Sequence, residues 1–169
     1  FRSGRNEAAE EYSSKLNEMI IQTQSDVKSG NPVTDIVIGE YKDKCIKTGI
    51  DFTYDFHYPE KGVVDAFDMS IVLFNALQNA CEAAQKTPHG YVSLKAFRKK
   101  NAYIIEITNS CAGRITVEPG KLPATDKDNA QAHGYGLKNI KRIAEKYYGG
   151  INIEPADDTF KLNIMMMLE

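Results

Sequence analysis

The sequence has 169 residues, of which 42% are hydrophobic and 26% are charged. A chain of this length and composition can bury one full hydrophobic core and still carry a helical appendage. Its formal net charge is −2, so it lacks the strongly basic field that attracts nucleic acid, and nucleic acid is not expected as a partner.

Helical patterns dominate the start of the chain. Apolar residues recur at helical spacing from about residue 6 to 27 and predict a first helix with a narrow apolar seam, which needs a partner element or a second subunit. Asn31 as N-cap and Pro32 at the first helical position predict the start of a second helix, which Gly49 ends. Strict alternation over residues 50–57 predicts a half-buried strand. The seam of the first helix consists of Ala8, Tyr12, Leu16, Met19, Ile20 and Val27.

The remaining pattern is mixed. Asp65 is expected to cap a long helix that contains "NALQNACEAA". Strand-like runs at residues 91–97 and 102–108 predict a β-hairpin. Residues 109–134 have no regular period, and loops of that length are usually functional or disordered. From Tyr135 a last helix follows, terminated by glycines, and another hairpin ends the sequence.

These elements predict an α+β fold. It is expected to be a two-layer α/β sandwich in which helices cover one face of a mixed sheet of about five strands. An N-terminal helical segment, residues 1–30, precedes the main domain of residues 31–169.

Several features indicate a soluble chain in a reducing compartment. No run is long enough for a membrane span, and the charged start lacks the apolar core of a signal peptide. Cys45, Cys81 and Cys111 are isolated in sequence, which is typical of reduced core residues and not of a disulfide framework or zinc site.

A polar stripe interrupts the apolar long helix. Asn75, Asn79, Glu82 and Lys86 fall on one narrow arc at helical spacing. An unpaired buried amide costs roughly 1–3 kcal/mol, so the asparagines need partners, and a ligand or metal-bound water is one way to supply them. Amide oxygens suit Mg²⁺, which keeps several waters and is shared with nucleotide phosphates. Buried amides bonded to backbone, followed by a solvated helix end, explain the pattern equally well.

Two glycines, Gly134 and Gly136, lie where the irregular loop meets the last helix. Free backbone amides at a helix N-terminus, unobstructed by side chains, form an anion site. Neither a Walker sequence nor the dinucleotide-binding fingerprint occurs in the sequence. By itself such a pair is more often a glycine-rich cap without a ligand.

Taken together, "NALQNACEA", a hairpin ending in "ITNSCAG" and a loop carrying "TDKDNAQAHGYGLKNI" resemble the ATP-binding domain of the gyrase, heat-shock chaperone, histidine kinase and MutL superfamily. Most similar are sensor histidine kinases of the peptide-sensing, quorum-sensing type. The resemblance implies a Bergerat-type fold in residues 31–169, with residues 1–30 as a remnant of the dimerisation and phosphoacceptor region. It also implies ATP and Mg²⁺ as cofactors.

The resemblance assigns the stripe to the N box of that superfamily. Asn79 matches the metal-binding asparagine, and Asn75 stands where hydrolytic members carry a water-activating glutamate. An amide cannot act as a general base at neutral pH, so rapid ATP hydrolysis is not expected and no catalytic residue is assigned in this chain. Glu82 is either a replacement base or, as its spacing favours, a residue at the edge of the site.

The other motifs are the glycine boxes and the ATP lid. Asn109 occupies the position of the aspartate that takes the adenine amino group, and Cys111 replaces the first glycine of that box. The remaining implied cofactor contacts are Gly113 in the first box, Lys127 and His133 in the lid, and Gly134, Gly136 and Leu137 in the second box.

The resemblance implies the catalytic ATP-binding domain of a two-component histidine kinase, which transfers the γ-phosphoryl group of ATP to a histidine outside this chain. Implied partners are the phosphoacceptor helix of the same full-length kinase, a response regulator and a second copy in a homodimer. The expected location is cytoplasmic, with a membrane anchor outside this chain. The alternative is an inactive nucleotide-sensing or dimerisation module of the same fold; a hydrolytic ATPase fits less well because of Asn75.

Overall fold

The computed structural model describes the backbone of residues 10–18, 26–60, 63–113, 122 and 130–168, and their side chains except those of residues 130–134 and 155. Within this part of the chain the elements are α1 (residues 10–18), α2 (Pro32–Lys47), β1 (Asp51–Asp55), α3 (Ala66–Ala84), β2 (Tyr91–Lys99), β3 (Ala102–Ser110), α4 (Ala130–Lys146), β4 (Gly150–Pro155) and β5 (Thr159–Met167).

The five strands form one mixed sheet in the order β1-β2-β3-β5-β4. The β1 strand pairs parallel with β2, and the other neighbours pair antiparallel. Leu94, Ile107 and Leu162 lie side by side in this register and are buried beneath the helices. On the opposite face Phe97 and Met165 remain exposed. The predicted two-layer α+β sandwich is therefore confirmed.

Helix α3 lies at the centre of the helical layer. It contacts α2 on one side, α4 on the other, and β2 and β3 beneath. Because three sides of the helix are covered, its sequence is apolar around most of its circumference, and Leu73 and Leu77 have no exposed surface. The polar stripe is consequently set into the most enclosed helix of the domain.

Local signals fix the starts of α2 and α3. The Asn31 side chain accepts hydrogen bonds from the N–H groups of Val33, at 2.9 Å, and Thr34, at 3.4 Å. Asp65 caps α3 in the same way, accepting from Phe67 at 2.9 Å. These caps satisfy amides that have no partner within the helix, which confirms both predicted N-termini.

The two remaining helices differ from prediction at one end each. Residues 26–28 are not helical, so the first helix does not continue to Val27 as expected; Val27 is instead buried in the core. Helix α4 begins at Ala130, earlier than the predicted Tyr135, because the alanine-containing segment before the glycines favours helix. Its predicted C-terminal stop is confirmed: the backbone of Gly149 passes so close to β5 that an added Cβ would lie 1.8 Å from the Met165 carbonyl oxygen.

All three cysteines are buried free thiols, as expected. The sulfur atoms of Cys45 on α2 and Cys81 on α3 are 2.9 Å apart. None of the helices in the described ranges is long and apolar enough to cross a membrane.

Candidate functional site

The two motifs predicted to form the site meet where α3 packs against α4. A Cβ added to Gly136 would lie 3.2 Å from Asn75 Oδ1 and 3.4 Å from Asn79 Nδ2. Both distances are shorter than ordinary van der Waals contacts, so glycine lets the α4 backbone approach the stripe closely. The structure thus brings the N box and the second glycine box into direct contact.

Both polar atoms of the Asn75 side chain make a hydrogen bond. It is 8% exposed, and its Nδ2 donates to the Ile71 carbonyl oxygen at 2.8 Å. Its Oδ1 accepts a hydrogen bond from the Tyr12 hydroxyl of α1 at 2.7 Å. The bond to Ile71 is the backbone contact that the sequence allowed for, whereas Tyr12 was expected only as an apolar seam residue. A buried tyrosine needs a partner for its hydroxyl group, and this need was the signal in the sequence.

Asn79, one turn further along α3, differs from Asn75 in burial and in hydrogen bonding. Its side chain is half-buried, and no hydrogen-bond partner for it exists among the described residues. Its position beside Gly136, together with an oxygen to which no described residue donates, suits a ligand atom or a metal ion.

The other two residues of the stripe, Glu82 and Lys86, lie toward and beyond the C-terminal end of α3. Glu82 is half-buried and accepts a hydrogen bond from Gln78 Nε2, one turn back on the same helix, at 2.9 Å. Lys86 is exposed beyond the end of α3. Glu82 therefore lies at the edge of the candidate site, as its spacing favoured.

Asn109 lies on β3, on the face that packs against the helices. It is 2% exposed and follows the buried Ile105 and Ile107 at every second position. Its Nδ2 donates to the Ser110 carbonyl oxygen at 2.9 Å, but no donor from the described part of the chain reaches its Oδ1. A buried acceptor without a donor is where a ligand amino group would bind.

The altered first glycine box keeps one of its glycines in a conformation that needs it. Gly113 has a φ of +78°, in the left-handed region that favours glycine. Cys111, in place of the first glycine, is buried, and its Sγ donates to the Gly113 carbonyl oxygen at 3.6 Å. Burial raises the pKa of the Cys111 thiol, so this group is neutral.

The second glycine box is not at a helix N-terminus, which corrects that expectation. Since α4 spans Ala130–Lys146, Gly134 and Gly136 lie inside the helix. Leu137 is half-buried and packs against the core. The backbone of His133 is helical, whereas Lys127 lies outside the described residues.

Magnesium shared with a nucleotide fits this set of residues better than an all-protein metal site. Within the described ranges no group of three or more histidine, cysteine, aspartate or glutamate side chains is placed to hold a metal ion. Mg²⁺ bound to a nucleotide needs only one or two protein ligands, since phosphates and water complete its octahedron. Asn79, whose amide has no partner among the described residues, is the candidate for that role.

Comparisons with known proteins agree with this arrangement. The family model described as the GHKL domain matches residues 64–167. Among solved structures, the catalytic domain of histidine kinase ThkA is 23% identical in sequence to this chain and superposes with a TM-score of 0.55. The match covers 78% of this chain and 91% of the ThkA domain. Acinetobacter baumannii histidine kinase AdeS is 14% identical to this chain, with a TM-score of 0.58, and the match covers 94% of this chain and 76% of AdeS.

The histidine kinase domain of the blue-light-activated Erythrobacter litoralis kinase EL346 is 15% identical to this chain, with a TM-score of 0.58. The match covers 94% of this chain and 72% of the EL346 domain. No curated protein matches the sequence. At these identities the solved structures show a common fold.

Proposed function

Because this chain belongs to the GHKL domain family, we propose that it is the ATP-binding catalytic domain of a sensor histidine kinase. It transfers the γ-phosphoryl group of Mg-ATP to a histidine outside this chain, mainly by positioning and charge neutralisation. The contact between Gly136 and Asn79, whose amide has no partner among the described residues, is the main support, because it joins the proposed metal-binding and phosphate-binding motifs in one place.

Each predicted contact has a proposed role at this site. Asn79 would hold Mg²⁺ through its amide oxygen, and the ion would supply charge neutralisation for the phosphates. Gly136 lets the α4 backbone, with Gly134 and Leu137 next to it, approach Asn75 and Asn79, and this backbone is the proposed phosphate contact. The other proposed contacts are Asn75 in the N box, Glu82 at the edge, Gly113 in the first glycine box, and Lys127 and His133 in the lid.

Asn109 provides a physical reason for adenine selectivity. Its Nδ2 is already bonded to Ser110, so the side-chain atom that has no partner among the described residues is the acceptor Oδ1. The adenine amino group is a donor, whereas guanine presents a carbonyl acceptor at the corresponding position. An acceptor at residue 109 therefore favours ATP over GTP.

Transfer is favoured over hydrolysis by the state of Asn75. Its Oδ1 is occupied by the Tyr12 hydroxyl and its Nδ2 by the Ile71 carbonyl. An amide in these contacts cannot take a proton from water at neutral pH. The bound ATP therefore remains intact until an acceptor histidine reaches it.

Calorimetric titration tests the nucleotide site. We expect ATP to bind more tightly with Mg²⁺ than with EDTA, and GTP to bind at least about tenfold more weakly, which corresponds to one hydrogen bond made or lost. Asn79→Ala should abolish the Mg²⁺ dependence. Asn101→Ala, in the exposed β2–β3 turn at the other end of β3, is the matched control and should bind as the parent chain does.

The second candidate is an inactive nucleotide-sensing or dimerisation module, favoured by the buried Cys111 in the first glycine box. Absence of ATP binding up to millimolar concentration would select the dimerisation module. If ATP binds, radiolabelled phosphoryl transfer to the full-length kinase, with the phosphoacceptor histidine replaced in a control, decides between transfer and sensing.

Further proposals follow from the kinase assignment. The acceptor helix belongs to the same full-length protein, which works as a homodimer and passes the phosphoryl group to a response regulator. We place this domain in the cytoplasm, with a membrane anchor outside this chain. The peptide-sensing type remains a prediction from the sequence resemblance alone.

A further inference from the structure

The first helix contacts the nucleotide site through one side chain. The Tyr12 ring packs edge-on against Phe74 of α3, with centroids 5.4 Å apart and planes at 87°. The Lys15 ammonium lies 5.6 Å from the centroid of the same Phe74 ring. These contacts seat α1 over α3 and direct the Tyr12 hydroxyl to Asn75 Oδ1.

Asn75 is enclosed from three directions. Its own helix supplies the Ile71 carbonyl, α4 supplies the Gly136 backbone, and α1 supplies the Tyr12 hydroxyl. Of these, only α1 lies outside the matched domain, which begins at residue 64. Hence movement of α1 is the way to release the Asn75 oxygen without disturbing the α3–α4 packing.

The Tyr12 hydroxyl is a persistent donor. Burial raises the pKa of Tyr12, and hydrogen bonding with Asn75 and Asn139 opposes that rise only in part. The hydroxyl therefore stays protonated across the neutral range and keeps its bond to Asn75. Since Asn139 belongs to α4, Tyr12 lies between the two helices that form the site.

We propose that Tyr12 is a positioning residue of the nucleotide site: by holding the Asn75 oxygen, it makes docking of α1 and full binding of magnesium nucleotide oppose each other. When α1 undocks, the Asn75 oxygen becomes free to accept from a metal-bound water. By linkage, bound Mg-ATP weakens α1 docking by the same factor. This inference rests on the proposed ATP-binding function.

Tyr12→Phe tests the inference, because it keeps the ring on Phe74 and removes only the hydroxyl. We expect Mg-ATP affinity to rise about 2- to 10-fold, the equivalent of one hydrogen bond, while ATP affinity in EDTA stays unchanged. In an Asn75→Ala background the same substitution should have no effect. Tyr148→Phe, at a residue that is 85% exposed, is the matched control.

Hydrogen exchange gives a readout that a merely structural role would not move. In the unaltered chain, Mg-ATP should speed amide exchange in residues 10–18, and ATP with EDTA should not. Unchanged or slower exchange with Mg-ATP overturns the inference, as does Tyr12→Phe with unchanged or weaker Mg-ATP affinity. Failure of the unaltered chain to bind Mg-ATP would instead defeat the proposed function itself.

Discussion

Gly136→Ala should separate nucleotide binding from folding. Gly136 lies inside α4 and is buried. Alanine at an ordinary helical position is favoured over glycine by about 0.5–1 kcal/mol. Against that gain, the new methyl group would lie 3.2 Å from Asn75 Oδ1 and 3.4 Å from Asn79 Nδ2.

Both atoms are at the ends of side chains, so they can yield by a few tenths of an ångström through side-chain rotation. The free energy of unfolding is therefore expected to stay within about 1 kcal/mol of the parent value, the propensity gain offsetting most of the crowding. The displaced Asn79 amide, however, can no longer place its oxygen on the metal. We expect Mg-ATP affinity to fall at least about tenfold, the scale of one lost metal or charge-assisted contact.

Urea denaturation measures the free energy of unfolding, and calorimetry measures the Mg-ATP affinity. Gly150→Ala is the matched control, because a Cβ there meets nothing within 4 Å, and its affinity should equal that of the parent chain. The reasoning is refuted if Gly136→Ala binds Mg-ATP as the parent does while remaining folded. In that case the close approach of α4 would serve packing alone.

Two further predictions concern stability. Burial raises the pKa of Tyr58 to about 12, whereas an unfolded tyrosine titrates near about 10; stability should therefore fall as pH rises from about 10 to 12, since the unfolded chain loses a proton that the fold retains. Urea denaturation across that range should show a smaller fall in Tyr58→Phe, and an equal fall would contradict the assignment. Leu77→Ala, at a residue with no exposed surface, should cost about 2–5 kcal/mol of unfolding free energy. Ile46→Ala, at a residue 61% exposed, should change it by less than about 0.5 kcal/mol.

The features predicted best from the sequence depend on short-range contacts. Asn31 and Asp65 cap helices through bonds to residues two and three positions away, so local residue types suffice to place both N-termini. The hairpin strands follow from their alternation of apolar residues, whereas the sheet order β1-β2-β3-β5-β4 is known only from the structure. Fold class could be predicted because these local signals agree with one another.

The site could be predicted only in part, because its chemistry depends on long-range contacts. Helical spacing places Asn75 and Asn79 on one arc, but only the structure shows that one is bonded and the other unpaired. The partner that makes the difference, Tyr12, is 63 residues away from Asn75 in sequence. The sequence also places the start of α4 too late, because glycines are typical of helix boundaries, whereas Gly134 and Gly136 lie inside this helix, where Gly136 packs against α3.

The identity of residue 75 bears on both proposals, transfer without hydrolysis and the docking of α1. Its side chain must donate to the Ile71 carbonyl and accept from the Tyr12 hydroxyl, and an amide has both a donor and an acceptor. An ionised glutamate, the water-activating residue at this position in the hydrolytic relatives that the sequence resembles, has acceptors only and would face the Ile71 carbonyl without a proton to share. Such a mismatch destabilises the fold less than an isolated buried charge does, but more than a paired amide does. The same asparagine permits the contact with α1 and cannot serve as a general base, so the proposed preference for transfer over hydrolysis and the proposed coupling to the first helix would have one structural cause.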